Sequence, residues 1–111
     1  MKNYLLVESH PSHPERLEEF NRWYDEVHIP EVVALDGFVG AIRLAPADPD
    51  GGPSVTIYEL DGDPQAAKDN VHAAAAAKQL NMSDSLSYGP IPKMRILALQ
   101  SDHLPIFVYM F

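Results

Sequence analysis

The chain has 111 residues and a formal net charge of −8, from 16 acidic and 8 basic side chains. This length suits one hydrophobic core, so we expect a single domain over residues 1–111. The absence of cysteine excludes a disulfide framework, a thiolate metal site and a cysteine nucleophile. The acidic balance, without a basic stripe, argues against nucleic acid as a partner. No apolar run approaches the roughly 20 residues that span a bilayer, so we expect a cytoplasmic protein without a membrane partner.

The first part of the chain predicts a strand followed by a helix. Residues 4–7 form a β-rich apolar run that ends in polar residues, which predicts a strand over residues 2–9. Pro14 suits a first helical turn, and the apolar side chains after it follow the helical i, i+3, i+4 spacing. We expect this helix to end near His28, because Pro30 lacks a backbone donor and disfavours the helical conformation of the residue before it. A short second turn over residues 30–35 would follow.

The rest of the chain predicts a hairpin, a second helix and a last strand. Residues 38–44 and 54–60 predict strands separated by a proline- and glycine-rich loop. Asp63 and Pro64 are a typical N-cap and first-turn pair for an alanine-rich helix reaching Leu80. Residues 93–100 predict the fourth strand, and residues 102–111 form an apolar tail.

The element order β-α-β-β-α-β indicates an α+β, ferredoxin-like fold with a four-stranded antiparallel sheet. In this arrangement the helices cover one face of the sheet, and the other face stays partly bare. Because monomers rarely expose large apolar patches, we expect a homodimer that associates sheet to sheet. The apolar tail would lie at that interface, or alternatively fold back onto its own subunit.

The first helix carries a string that resembles a known family. Asn21-Arg22-Trp23-Tyr24-Asp25-Glu26-Val27-His28-Ile29-Pro30-Glu31-Val32, with Gly37-Phe38, Ala41-Ile42-Arg43 and Tyr58-Glu59-Leu60, is similar to the EthD-like branch of the dimeric α/β-barrel superfamily. The resemblance covers about residues 2–100. It implies two sheets that associate into a barrel, with a pocket between each sheet and its helices. Relatives include cofactor-free monooxygenases, polyketide cyclases, muconolactone isomerases and haem-handling enzymes, so the resemblance implies a pocket but no single reaction.

Two residues of this string are the candidate catalytic pair. Tyr24 and His28 are four residues apart on one helix face, with Tyr24 turned toward the sheet and His28 at the margin of that face, and Asn21 shares that side. An imidazole titrates near neutral pH and can move protons, while a phenol can donate a hydrogen bond to a developing enolate oxygen. In the resembling family, a histidine at this position lines the pocket. The alternative is that His28 caps the helix end or bonds a carboxylate such as Glu31.

Further residues are candidates for substrate contact. Trp23 is expected chiefly to pack in the core, and His72 chiefly to lie on the surface of the second helix. Arg43 alternates with apolar neighbours on the second strand, so it faces either the pocket or an edge. The full set of candidate substrate-binding residues is Asn21, Trp23, Arg43, Tyr58, His72 and Tyr88. We expect neither a metal nor a cofactor, because no convergent ligand set and no phosphate-binding or dinucleotide-binding motif is present. The resemblance leaves haem binding through His28 or His72 as an alternative, although no pair of arginines is singled out for the haem propionates.

These features favour a cofactor-independent enzyme that uses acid–base chemistry on a small, largely apolar, oxygenated substrate. Cyclase, isomerase and lyase reactions all fit that chemistry. One alternative is a cofactor-free monooxygenase of a phenol or quinol. Another is a non-catalytic accessory protein that binds a hydrophobic ligand in the same pocket.

Overall fold

The computed structural model of the chain describes residues 2–48 and 51–103. Its four strands lie within two residues of their predicted limits. The strands are β1 (Asn3–Ser9), β2 (Phe38–Leu44), β3 (Ser54–Leu60) and β4 (Lys93–Ala98), and the helices are α1 (Leu17–Trp23), α2 (Ile29–Val33) and α3 (Pro64–Ala76).

The strands form one antiparallel sheet in the order β2-β3-β1-β4. This order and the helical connections confirm the α+β, ferredoxin-like prediction. Leu5 in the centre of β1 pairs with Tyr58 on β3 and Ile96 on β4. Because side chains alternate along a strand, this register sets one row of residues toward the helices and the next row away from them.

The helix-facing side of the sheet carries the core. Its buried members are Leu5, Val7, Val32, Phe38, Tyr58, Leu60, Ala67, Val71, Ala74 and Leu80. A second cluster joins α1 to the loop before β4 and contains Phe20, Trp23, Tyr24 and Leu86. The two clusters meet where Tyr24 approaches the sheet, since its hydroxyl is hydrogen-bonded to Ser9 at the end of β1.

The first helical segment differs from its prediction, because the chain remains helical through Pro30. A 3₁₀ turn at Pro14–Arg16 leads into α1, and a π-helical turn at Tyr24–His28 joins α1 to α2. In that turn the backbone N–H of Ile29 donates to the carbonyl of Tyr24, five residues earlier. A proline within an α-helix lacks a donor and crowds the carbonyl four residues back, and the wider turn accommodates this defect. The prediction that the helix ends near His28 is therefore wrong.

The ends of α3 follow from two local features. The Asp63 side chain accepts a hydrogen bond of 3.0 Å from the backbone N–H of Gln65, as expected for an N-cap. The helix ends at Ala76, four residues before the predicted limit, because Lys78 adopts a left-handed conformation with φ of 57°. Leu80 then turns into the core. None of the described helices is both long and apolar enough to cross a membrane.

The sheet face away from the helices carries a continuous set of apolar side chains. We call this face the open face. Its apolar side chains are Tyr4, Leu6, Ile42, Leu44, Val55, Ile57 and Leu97. Ile42 is 59% exposed and Leu44 is 52% exposed. The predicted position of the apolar tail lies almost wholly outside the described residues.

We expect Gly37→Ala to destabilise the fold by roughly 2–5 kcal/mol. Gly37 has φ of 92°, and a Cβ atom built there would lie 2.9 Å from the Cβ of Ala67 on α3. A non-glycine residue in this region costs about 1–2 kcal/mol, and overpacking adds about 1–3 kcal/mol. Gly62→Ala is the matched control, because φ is 76° there but the added Cβ meets no atom within 4 Å. Urea unfolding should show a clearly larger loss for Gly37→Ala, and equal losses would contradict this packing account.

Candidate functional site

Three aromatic rings of the first helical segment lie together at the π-helical turn. The rings of Tyr24 and His28 are 5.1 Å apart at an interplanar angle of 80°, as their spacing predicts. Trp23 stacks on His28, with ring centroids 4.6 Å apart and an angle of 25°. The indole Nε1 of Trp23 donates a 2.8 Å hydrogen bond to the carbonyl of Asn81. Trp23 is therefore a packing residue that also holds the imidazole ring of His28 in place.

The imidazole of His28 is largely removed from water. Burial lowers its pKa from 6.5 to about 4, although the charge of Glu31 opposes this shift. His28 is thus neutral at physiological pH. Its Nδ1 atom is buried and has no hydrogen-bond partner among the described residues.

The alternative role of His28 as a helix cap or carboxylate partner is not observed. Its side chain makes no capping hydrogen bond at the start of α2. The carboxylate of Glu31 instead accepts hydrogen bonds from Asn81, at 2.8 Å from the backbone N–H and 2.6 Å from Nδ2. Asn81 therefore tethers the loop after α3 to α2, and no hydrogen bond joins Glu31 to His28 in the described structure.

A cavity of about 70 Å³ adjoins His28 and Tyr24. We call it the histidine cavity. It lies between the sheet, α3 and the loop before β4, and its walls are mainly apolar. The lining residues are Val7, Tyr24, His28, Val71, His72, Ala75, Leu80, Met82, Leu86, Pro92 and Met94. His72 is exposed on α3, as predicted, yet it also borders this cavity.

The phenol of Tyr24 is buried and hydrogen-bonded. The Ser9 hydroxyl donates to the Tyr24 oxygen at 3.0 Å. Burial raises the pKa of Tyr24 above its usual value of 10, and the hydrogen bond from Ser9 partly opposes this change. The phenol therefore keeps its proton at neutral pH, which is the state able to donate to a substrate oxygen.

Arg43 faces the helices rather than an edge of the sheet. Its Nε donates to the Ser54 hydroxyl at 3.1 Å, and Nη2 donates to the Asn21 side-chain oxygen at 2.5 Å. The guanidinium carbon lies 4.9 Å from the ring centroid of Tyr24 and 5.5 Å from that of Phe20. The structure thus brings four predicted site residues together, since Arg43 binds Asn21 and the Tyr24 ring contacts both Arg43 and His28.

A second cavity, of about 110 Å³, adjoins Arg43 and is called the arginine cavity. Its lining residues are Pro11, Leu17, Phe20, Asn21, Arg43, Ala45, Pro46, Gly52 and Ser54. None of these residues lines the histidine cavity. The polar side chains at its wall are Arg43 and the two side chains to which Arg43 donates, Asn21 and Ser54.

The two remaining candidates line neither cavity, although Tyr58 is close enough to Tyr24 and Arg43 to interact with both electrostatically. Tyr58 is buried in the core against Phe38, with ring centroids 5.5 Å apart. Burial raises its pKa strongly, and its hydroxyl has no hydrogen-bond partner within the described part of the chain. Tyr88 is 57% exposed on the loop before β4 and lines neither cavity. In residues 2–48 and 51–103, no group of three or more histidine, aspartate or glutamate side chains could hold a metal ion.

Sequence reasoning missed three residues that shape the site. Ser9 and Ser54 face each other across β1 and β3 on the helix-facing side, and strand alternation alone would have placed both there. Asn81 had no such signal. Its partners Glu31 and Trp23 are 50 and 58 residues away in sequence, so only the tertiary fold brings them together.

We expect the stability of the protein to fall as pH decreases from 6.5 to 4, and His28 to cause part of that fall. The unfolded chain binds a proton at His28 below pH 6.5, whereas the folded chain does so only near pH 4. At about 1.4 kcal/mol per pKa unit, the difference approaches about 3 kcal/mol. In His28→Gln this contribution is absent. Urea unfolding of both proteins between pH 7 and 4 should therefore show a stability difference that changes with pH, and a constant difference would contradict the burial account.

Comparison with known proteins identifies the fold without naming a family. No family model matches the sequence, and no curated protein matches it. The structure is similar to that of Rv0793 from Mycobacterium tuberculosis, with a TM-score of 0.56 and 16% sequence identity. The match covers 93% of this chain and 99% of the other. At this identity the similarity establishes a shared fold, and the chain has a compact, ferredoxin-like α+β fold of known type.

Proposed function

We propose that the chain is a cofactor-independent enzyme that performs acid–base chemistry on a small, largely apolar, oxygenated substrate. The reaction would be a cyclisation, an isomerisation or an elimination of the lyase type. We place it in the EthD-like branch of the dimeric α/β-barrel proteins on the resemblance of the first helical segment. The observation that carries the proposal is a neutral, buried His28 imidazole packed against the Tyr24 phenol at an apolar cavity.

His28 is the proton-transfer group in this proposal. A neutral imidazole has a lone pair that can accept a proton from a carbon next to a carbonyl group. Its pKa of about 4 makes it a weak base by itself. Negative charge that develops on the substrate oxygen during proton removal would raise that pKa within the complex, as Glu31 already does weakly. The imidazolium then returns the proton to another atom of the substrate.

Tyr24 is the polarising partner. Its protonated phenol donates a hydrogen bond to the substrate oxygen on which the enolate charge develops. The Ser9 hydroxyl that donates to the Tyr24 oxygen strengthens this role, because linked hydrogen bonds polarise one another. The apolar walls lower the local dielectric and so increase the effect of each donor.

The histidine cavity is small, so either the substrate is small or the cavity must widen when the substrate enters. A volume of about 70 Å³ corresponds to only a few water molecules, at roughly 30 Å³ of liquid volume each. Met82 lies at this cavity, is 42% exposed and has a flexible side chain that can move aside. Substrate entry past Met82, between α3 and the loop before β4, would then enlarge the cavity around His28.

The homodimer is the second part of the proposal. A second copy of the chain would cover the open face, which is apolar at its centre and carries paired charges at its border. Lys2 and Glu59 form an ion pair of 3.0 Å there, and Glu8 lies opposite Lys93 across β1 and β4. A mixed-charge border around an apolar centre suits association with an identical surface, since each sign can meet its opposite.

We expect the purified protein to catalyse hydrogen–deuterium exchange at carbons next to carbonyl groups. The assay places small ketones and 1,3-diketones in D₂O with no flavin or metal added, and NMR follows the exchange. His28→Gln should reduce the rate by about 10²–10⁴-fold, the range typical of general acid–base catalysis. Tyr24→Phe should reduce it by about 10²–10³-fold, as for loss of one oxyanion donor.

Two matched variants control this assay. His13→Gln and Tyr88→Phe make the same chemical changes at residues that lie outside both cavities, so they should keep the full exchange rate. Folded His28→Gln and Tyr24→Phe proteins with unchanged rates would refute the proposed roles.

Oxygen consumption without flavin or metal would instead indicate a monooxygenase. Tight ligand binding without turnover, unaffected by His28→Ala, would indicate a binding protein, which the mainly apolar walls also suit.

We expect sedimentation equilibrium to give the mass of a dimer for the native chain. Ile42→Lys should shift the equilibrium to monomer, because it places a charge among the apolar side chains of the open face. The side chain is 59% exposed in the single chain, so the substitution leaves the core intact. Met82→Lys adds the same charge on the helix side and should remain dimeric. A native chain that sediments as a monomer would contradict the proposal.

A further inference from the structure

The guanidinium of Arg43 is a largely buried charged group, and the acid–base roles proposed for His28 and Tyr24 do not use it. We propose that Arg43, with Asn21 and Ser54, forms a subsite that binds the carboxylate of the substrate. The inference rests on the proposed function, and it narrows the substrate class to oxygenated carboxylic acids. Three observations support this inference. They are the weak ion pairing of Arg43, the orientation of its N–H donors and the arginine cavity beside it.

The charge of Arg43 is only weakly balanced within the described structure. Its side chain is 11% exposed, and its one ion-pair partner there is Asp25. Nη1 lies 3.4 Å from each oxygen of that carboxylate, which is longer than a strong charge-assisted hydrogen bond. The Asp25 side chain is itself 59% exposed, so water screens its charge. A second carboxylate beside Arg43 would therefore gain a strong and poorly screened partner.

The donors of Arg43 are oriented before any ligand binds. The bond from Nε to Ser54 and the bond from Nη2 to Asn21 fix the plane of the guanidinium. Among the described residues, Nη1 has only the long contacts to Asp25. A planar guanidinium with free donor capacity on its terminal nitrogens matches the two oxygens of a carboxylate. Because Asn21 and Ser54 already hold the side chain, little conformational entropy is lost on binding.

The arginine cavity has the size and lining for such a group. Its volume of about 110 Å³ accommodates a carboxylate with a short apolar segment. Leu17, Phe20 and Pro46 supply apolar walls, which strengthen an ionic contact by excluding water. A cavity that combines apolar walls with a few fixed polar groups is the usual form of a small-molecule site.

The position of Arg43 connects this subsite to the candidate catalytic pair. The guanidinium carbon is 4.9 Å from the Tyr24 ring centroid, and that ring is 5.1 Å from the ring of His28. The two cavities share no lining residue, so a substrate whose carboxylate binds Arg43 would have to extend past the Tyr24 ring to reach His28. Binding energy from this remote group then serves to position the carbon that reacts.

Titration with propionate and with its neutral isostere propionamide tests the subsite. Each is added at constant ionic strength and pH, and NMR follows the Arg43 Nε–H and the Ser54 amide. We expect saturable shifts with propionate and binding at least about tenfold weaker with propionamide. Arg43→Met should abolish the response to propionate. Arg22→Met removes an exposed arginine from α1 and should leave the response unchanged.

Further variants separate the possible outcomes. Arg43→Lys keeps the charge but loses the planar donors, and Asn21→Ala frees one side of the guanidinium, so both should weaken propionate binding even if Arg43→Met does not fold. His28→Gln should bind propionate as the native chain does, whether or not the proposed catalysis is correct. Propionate binding that is absent, equal to that of propionamide, or retained in Arg43→Lys and Asn21→Ala would overturn the inference.

Discussion

The burial of the Tyr24 ring between α1 and the sheet is the contact on which the site depends. This ring packs edge-on against Phe20 and Trp23 and meets His28 on the next turn. Its hydroxyl reaches Ser9 on β1, and the guanidinium of Arg43 lies over its face. Because one side chain makes all these contacts, the position of α1 against the sheet determines the geometry of both cavities.

The π-helical turn makes this packing compatible with Pro30. A continuous α-helix would need a backbone donor at residue 30, which proline cannot provide. The wider turn at Tyr24–His28 passes over that defect and keeps α2 in line to contribute Val32 to the core. The same turn carries both members of the candidate pair. Local departures of this kind are frequent at functional sites, which agrees with the roles proposed for Tyr24 and His28.

The interior holds polar groups that a purely structural core would avoid. The Nδ1 atom of His28 and the hydroxyl of Tyr58 are buried without hydrogen-bond partners among the described residues. Each such group costs about 1–3 kcal/mol. Arg43 adds a largely buried charge, and within residues 2–48 and 51–103 its single ion pair, to Asp25, is long. All three groups lie near the Tyr24 ring, and the binding and proton-transfer roles proposed above would give His28 and Arg43 partners.

The sequence predicted the sheet better than the helices. The alternation of apolar residues predicted both limits of β2 and β3 correctly. It also predicted that Arg43 faces either the pocket or an edge of the sheet. Pro30 misled the helix prediction, because a local rule for proline takes no account of a π-helical turn stabilised by tertiary packing. The i, i+4 spacing correctly brought Tyr24 and His28 together. The tether at Asn81 depends on distant residues and had no sequence signal.

The desolvated imidazole of His28 is central to this account, and its titration is the most direct test. Two-dimensional NMR of uniformly ¹⁵N-labelled protein, with His28→Gln to assign the signal, gives the protonation curve of that ring between pH 8 and 3. The account predicts a neutral ring at pH 6 and a pKa of about 4. A pKa near the ordinary histidine value of about 6.5 would show that the ring is solvated and would contradict the account.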